Sequence, residues 1–137
     1  MMAIGELSRR AGVKIPTIRY YEQTGLMPEP GRTQANQRRY GMEHLERLAF
    51  IRHARDLGFS IEAITDLLRL SAHPDKPCMD ADRIARDHLE DIRAKISRLQ
   101  SLERELARML MQQCNHTIGD CRVIEALSSH DHCSHGH

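Results

Sequence analysis

Apolar residues recur at helical spacing in five stretches of the chain, and glycines or prolines separate one stretch from the next. Gly12, Gly25 and Gly58 stand where a helix commonly ends in a left-handed residue. Pro16 fits the first turn of a helix, and Ser60 fits the residue that caps one. The pattern predicts helices over residues 4–11, 16–22, about 42–57, 61–70 and about 79–111.

A polar segment, residues 31–40, follows the second short helix and is predicted to be an exposed loop or small hairpin, a wing. Two short helices with a wing favour a DNA-binding helix-turn-helix, whose second helix enters the major groove. The polar groups on or just before that helix are Lys14, Thr17, Arg19 and Tyr20. Arg32 and Arg38 of the wing are expected to meet phosphates. By composition alone, these arginines fit a solvated face of a small helical domain equally well.

The fifth helix is predicted to be about 45–50 Å long, and it carries one apolar stripe. A domain of this size cannot bury such a stripe along its whole length. We therefore expect a seam between two helices, most economically with a second copy of the chain. A helix folded back on its own domain is the alternative. The stripe consists of Ile84, Ala85, Leu89, Ile92, Ile96, Leu99, Leu102, Leu106 and Met109.

Composition narrows the class of protein. The chain has 137 residues, 28% charged and only 4% aromatic, which does not suit a β-sandwich. The net charge is +1, but residues 1–56 hold ten Lys or Arg against six Asp or Glu, the clustering that a nucleic-acid binder needs. We find neither a membrane-length apolar run nor a signal peptide, and expect a cytoplasmic protein. Its four cysteines are then candidate metal ligands or redox groups.

Cys78, Cys114 and Cys121 are the informative cysteines. Cys78 opens the long helix, whose N-terminus favours a thiolate. Cys114 and Cys121 would lie about 10.5 Å apart along a helix axis, whereas two sulfurs on one ion lie about 3.8 Å apart. Joint coordination therefore requires a loop that doubles back between them. His116 in that loop is a possible nitrogen ligand, and each cysteine is alternatively a small buried apolar residue.

The last residues, 128–137, are rich in histidine and are predicted to be a flexible tail. The tail is either without a role or a secondary zinc-type site formed by His130, His132, Cys133, His135 and His137. No phosphate-binding loop, zinc-hydrolase motif or nucleophile elbow is present in the sequence, so we expect no enzyme. A redox- or electrophile-responsive regulator and a helical metal-storage protein remain alternatives to a metal sensor.

Several short motifs occur in order along the chain, and together they resemble the signature of MerR-family transcription regulators. The resemblance runs from about residue 3 to residue 127. It implies an all-α dominated fold with a winged helix-turn-helix domain, a long antiparallel coiled-coil dimerisation helix and a C-terminal metal-binding loop. The motifs are Ile4-Gly5-Glu6-Leu7, Thr17-Ile18-Arg19-Tyr20-Tyr21-Glu22, Gly25-Leu26, Arg38 with Tyr40, and Leu57-Gly58-Phe59-Ser60.

The resemblance also implies a mechanism. A homodimer binds a palindromic operator and, on binding its effector, bends and untwists the promoter so that RNA polymerase engages both promoter elements. Thr17, Arg19 and Tyr20 match recognition-helix contacts, and Arg32 and Arg38 match wing contacts. Gln37 departs from the family, which has an aromatic residue just before the wing arginine, so the detail of the wing contact differs here.

In metal-responsive members of the family, two loop cysteines act with a cysteine at the start of the partner's dimerisation helix. Cys114 and Cys121 match the first two, and Cys78 matches the third and implies a +2 ion. Three thiolates suit cadmium, lead, mercury or zinc, and the short loop resembles that of the cadmium/lead-type members. The expected division is 1–70 for DNA binding and connecting helices, 71–78 for a hinge, 79–112 for dimerisation, 113–127 for the metal loop and short helix, and 128–137 for the tail.

Overall fold

The computed structural model describes residues 1–111 and 117–128. These residues are mainly helical. In chain order the elements are α1 (Ile4–Ala11), α2 (Ile15–Gln23), β1 (Gly31–Arg32), β2 (Arg38–Arg39), α3 (Met42–Asp56), α4 (Ile61–Ser71), α5 (Met79–Met111), a 3₁₀ turn (Ile118–Asp120) and α6 (Arg122–Ser128). The predicted helices are therefore confirmed to within about a residue at each end, and the predicted wing is a two-stranded antiparallel hairpin.

Local signals end and begin these helices as the sequence indicates. Gly12, Gly25 and Gly58 all have positive φ angles and follow α1, α2 and α3, a conformation that glycine adopts without steric cost. The hydroxyl of Ser60 accepts a hydrogen bond from the backbone N–H of Ala63 at 3.1 Å and caps α4. Short-range chemistry therefore fixes the ends of α1, α2 and α3 and the start of α4.

The hydrophobic core lies among α1 to α4 and the wing. Leu7, Ile18, Tyr40, Leu48 and Ile51 are completely buried at its centre. The first residues also join the wing, because Met2 and Tyr40 exchange two backbone hydrogen bonds of 2.8 Å. The N-terminal helices and the wing are consequently fixed on one core, which positions the second helix and the hairpin together.

The described residues form two units, one of Met1–Ala85 and one that begins at Arg86, so the division falls inside α5. None of the 33 residues of α5, all of which the structure describes, is buried. Leu89, Ile96, Leu99, Leu102 and Leu106 of its stripe are between 41% and 63% exposed. A single chain thus leaves the stripe open to solvent.

Candidate DNA interface and metal site

The second helix, α2, presents one face to the core and another to solvent. Ile18 and Tyr21 are buried, which fixes the rotation of the helix about its axis. Arg19 and Tyr20 are exposed and Thr17 is half-buried. Lys14 is exposed at the position just before the helix begins. The predicted contact residues therefore lie at the start and on the open side of α2, the part of a recognition helix that reaches base edges.

The wing brings two arginines directly opposite each other. Arg32 of β1 pairs with Arg38 of β2 in the antiparallel register, and both side chains are exposed. Like charges at directly opposed positions destabilise a hairpin. An anion such as a DNA phosphate relieves this repulsion when it binds between them. The register of the hairpin thus places two positive charges at directly opposed positions of the wing.

Side chains within the wing hold its turn. Arg32 donates to the carbonyl oxygen of Asn36 at 3.2 Å, and Asn36 has a φ of 63°, the left-handed conformation that asparagine tolerates. The side-chain oxygen of Gln37 accepts a hydrogen bond from Arg39 at 3.2 Å. Gln37 is exposed, and the NH₂ group is the only hydrogen-bond donor of its side chain.

Three side chains connect the wing to α2 and the core. The Tyr40 hydroxyl donates to Glu22 Oε1 at 2.6 Å, and Arg38 Nη1 lies 3.8 Å from Glu22 Oε2. Burial of the phenol, and next its hydrogen bond to Glu22, raise the pKa of Tyr40 to about 12. Tyr40 therefore remains a protonated donor at neutral pH.

His44 packs edge-on against Tyr40, with ring centroids 5.2 Å apart. Its Nδ1 accepts from the backbone N–H of Gly41 at 3.0 Å, so its Nε2 carries the proton and faces the carbonyl of Glu29 at 3.4 Å.

Sequence reasoning assigned no role to Glu22, Tyr40 or His44. A histidine three residues after Gly41, where a capping side chain reaches back to the helix start, was the available signal for His44.

The two described cysteines of the predicted metal site each stand immediately before a helix. Cys78 is exposed and precedes α5, and its thiol donates to Asp82 Oδ1 at 3.7 Å. Cys121 is half-buried and precedes α6. The carbonyls of Cys78 and Cys121 accept the first backbone hydrogen bonds of these helices, from Asp82 and Glu125. Each cysteine is therefore the residue from which the first turn of a helix begins.

Other predicted ligands lie outside the described residues. Within residues 1–111 and 117–128, no group of three or more His, Cys, Asp or Glu side chains has the arrangement of a metal site. The thiol chemistry of Cys78 and Cys121 fits a soft +2 ion. The ligands outside the described residues are Cys114, His116, His130, His132, Cys133, His135 and His137.

Together, the exposed face of α2, the basic hairpin and the shared core define a winged helix-turn-helix DNA-binding protein. Residues 2–71 match the family described as "MerR HTH family regulatory protein", and residues 45–109 match the one described as "MerR, DNA binding". The chain belongs to the MerR family of transcription regulators. It is therefore a regulator rather than an enzyme, as the sequence predicted. No helix within the described part of the chain is long and apolar enough to cross a membrane.

Relatives of known name cover nearly the whole chain. It is 41% identical over 130 residues to the HTH-type transcriptional regulator ZntR of Escherichia coli (strain K12), covering 93% of this chain and 92% of the relative. The crystal structure of the transcription regulator PbrR691 from Ralstonia metallidurans CH34 in complex with lead(II) is 36% identical. Its TM-score is 0.83, with 93% of this chain and 99% of that chain covered.

A second metal-bound structure is also similar. The dual-function transcriptional regulator MerR from Bacillus megaterium MB1, in complex with the mercury(II) ion, is 31% identical with a TM-score of 0.72. The match covers 93% of this chain and 100% of that chain. The likeness to both structures confirms the predicted fold class, a family-type DNA-binding domain followed by a long helix.

Proposed function

We propose that the chain is a metal-responsive regulator that binds promoter DNA as a homodimer and controls genes for metal resistance or efflux. The observation that carries the metal response is the placement of Cys78 and Cys121, each beside a helix N-terminus. The similar structures bound to lead(II) and to mercury(II) support the same class of effector. Oxidation or alkylation of the cysteines has no comparable support.

The proposed DNA contacts come from α2 and the wing. Lys14, Thr17, Arg19 and Tyr20 would contact bases and phosphates in the major groove, and Arg32, Gln37 and Arg38 would contact phosphates. The opposed arginines of the hairpin support this assignment, because their repulsion is relieved by an anion. In Gln37 the side-chain NH₂ group is the proposed phosphate donor, since phosphate oxygens accept hydrogen bonds.

The exposed stripe of α5 supports the homodimer. A second α5, packed antiparallel, would cover the apolar side chains that one chain leaves at 41–63% exposure. We propose residues 79–112 as the dimerisation segment and 71–78 as the hinge that joins it to the DNA-binding residues 1–70. Residues 113–127 would form the metal loop and short helix, and residues 128–137 the tail.

The proposed effector site contains Cys114 and Cys121 of one protomer together with Cys78 of the second protomer. Three thiolates suit cadmium, lead, mercury or zinc, and the donor type alone does not rank these ions. His116 is a candidate additional ligand, and the tail residues His130, His132, Cys133, His135 and His137 are a candidate secondary site. Ion binding would fix this segment and shift the dimer toward the form that distorts the promoter for RNA polymerase. Such a regulator acts in the cytoplasm, beside the chromosome.

Transcription in vitro from the chain's own promoter, with a panel of +2 ions, tests this function. Wild-type protein should respond to at least one soft ion, and Cys78→Ser should lose that response. The matched control Cys133→Ser, which removes a tail cysteine instead, should keep it. Thiol titration should show three protected thiols per protomer and proton release on ion binding. A normal response by Cys78→Ser would exclude Cys78 as a ligand, and a response to oxidants without metal would favour redox sensing.

A further inference from the structure

Glu22 lies where the recognition helix meets the wing. It belongs to α2, and its side chain is only 11% exposed. One carboxylate oxygen accepts the 2.6 Å hydrogen bond from Tyr40, which is completely buried, and the other lies 3.8 Å from Arg38 of β2. The carboxylate therefore joins three parts of the domain: the recognition helix, the core and the wing.

The Arg38 guanidinium contacts Glu22 with one of its nitrogens and is otherwise partly open to solvent. It faces Arg32 across the hairpin, so its charge needs a neighbouring anion, and Glu22 supplies one in the protein without DNA. The Arg38 side chain is 43% exposed, and a guanidinium has more N–H groups than one carboxylate oxygen occupies. The remaining N–H groups are thus available to a phosphate while the ion pair with Glu22 persists.

This arrangement lowers the cost of binding. A freely rotating arginine loses side-chain entropy when a phosphate fixes it, and a side chain that is already oriented loses less. Glu22 itself is oriented by the Tyr40 hydrogen bond, and Tyr40 is fixed by its backbone hydrogen bonds to Met2. The core therefore orients Arg38 through Tyr40 and Glu22.

We propose that Glu22 is a positioning residue for DNA binding, which holds the Arg38 guanidinium ready for a phosphate and keeps the wing in register with the recognition helix. The inference rests on the proposed phosphate contact of Arg38. It predicts that a negatively charged residue strengthens the binding of a polyanion, the opposite of its direct Coulomb effect.

A double-mutant cycle tests this proposal. The variants are Glu22→Gln, Arg38→Ala and the double variant. Glutamine keeps an oxygen that accepts from Tyr40 but lacks the charge that attracts Arg38. The probe is a fluorescently labelled duplex that the wild-type protein selects from a random library, and affinity is read from anisotropy at several salt concentrations. Glu6→Gln is the matched control, because Glu6 forms a 3.9 Å ion pair with Arg10 on α1.

We expect Arg38→Ala to weaken binding about tenfold and to reduce the slope of log K against log salt by about one. Glu22→Gln should weaken binding about threefold, a loss expected from releasing one oriented arginine. In the Arg38→Ala background the same change should cause no loss, and Glu6→Gln should cause none in either background. Thermal unfolding of each variant separates these effects from loss of folded protein.

The outcomes distinguish the two levels of the proposal. If Arg38→Ala binds like wild type, the proposed phosphate contact of Arg38 is wrong. If Arg38→Ala weakens binding but Glu22→Gln strengthens it or leaves it unchanged, the contact stands and the positioning role of Glu22 is wrong. An equal loss from Glu22→Gln in both backgrounds would likewise overturn the positioning role, because Glu22 would then act independently of Arg38.

Discussion

The residues up to Ala85 and the remainder of α5 differ in whether their apolar side chains are buried. Within residues 1–111 and 117–128, every buried apolar side chain lies between Met2 and Leu68. The 33-residue α5 buries none, although its stripe repeats apolar residues as regularly as α4 does. The first region is complete within one chain, and the second becomes complete only against another surface. We infer that the DNA-binding domain folds within a single protomer, whereas regulation requires the dimer.

A charge in the α5 stripe should have the largest effect. Leu99 is 63% exposed in the single chain, and we expect Leu99→Asp to prevent pairing because it would bury an unpaired carboxylate. The protein should become a folded monomer whose operator affinity is about a hundredfold lower, since two linked binding domains become one. Analytical ultracentrifugation and operator titration measure both effects. The control Ser97→Asp, on the opposite side of α5, should remain dimeric. A dimeric Leu99→Asp would show that the stripe is not the surface that pairs.

Shortening one apolar side chain in each region should distinguish burial within one chain from burial between two chains. Leu48 is completely buried, and Leu48→Ala should lower the free energy of unfolding by about 2–5 kcal/mol through lost contacts and a cavity. This loss should be the same at every protein concentration. Leu102→Ala, in the stripe, should instead lower stability mainly by weakening the dimer. Urea unfolding at several concentrations distinguishes them, and concentration-independent results for both would contradict the division.

Tyr40 should make the stability of the first region depend on pH. The neutral phenol is the form that the fold holds, because burial and Glu22 raise its pKa from 10.0 to about 12. This stabilisation is complete below pH 10 and is lost as the pH rises toward 12. The excess unfolding free energy of wild type over Tyr40→Phe should therefore fall by about 2–3 kcal/mol over that range. Tyr20→Phe, which removes an exposed tyrosine hydroxyl instead, is the control.

Gly5 within α1 and Gly12 immediately after it provide the smallest test. Gly12 has a φ of 69°, and a Cβ there would meet the guanidinium of Arg52, which donates to the carbonyl of Ala11 at 3.2 Å. Gly12→Ala should cost about 1–2 kcal/mol of unfolding free energy. Gly5 is helical, with its nearest neighbour 3.7 Å from a Cβ, so Gly5→Ala should be neutral or stabilising. Equal effects in chemical denaturation would refute the strain at Gly12.

The sequence predicts those features that depend on nearby residues. Gly58 and Ser60 mark the end of α3 and the start of α4 because each acts within one turn of the chain. The contacts of Glu22 with Tyr40 and Arg38 escaped prediction, because Glu22 is 18 residues from Tyr40 and the contacts require the folded core. His44 is buried for the same reason, through a ring contact that its spacing alone does not reveal.

The candidate metal site divides in the same way. Cys78 and Cys121 were expected from chemistry and family motifs, and their positions beside helix N-termini are local facts of the chain. In the proposed site the sulfurs would come from two protomers, and a single sequence does not show how two copies pack. That meeting of ligands from two chains stays a prediction, and the whole regulatory account depends on it.

Mixed dimers test that meeting most directly. One protomer carries Cys78→Ser, and its differently tagged partner carries Cys114→Ser with Cys121→Ser. If each site combines Cys78 of one chain with Cys114 and Cys121 of the other, the mixed dimer keeps one complete site. X-ray absorption of the lead(II)- or mercury(II)-loaded mixed dimer should then show three sulfur ligands on one ion per dimer, with none in either parent dimer. If the mixed dimer shows no three-sulfur ion while wild type does, the site lies within one chain and the central claim is wrong.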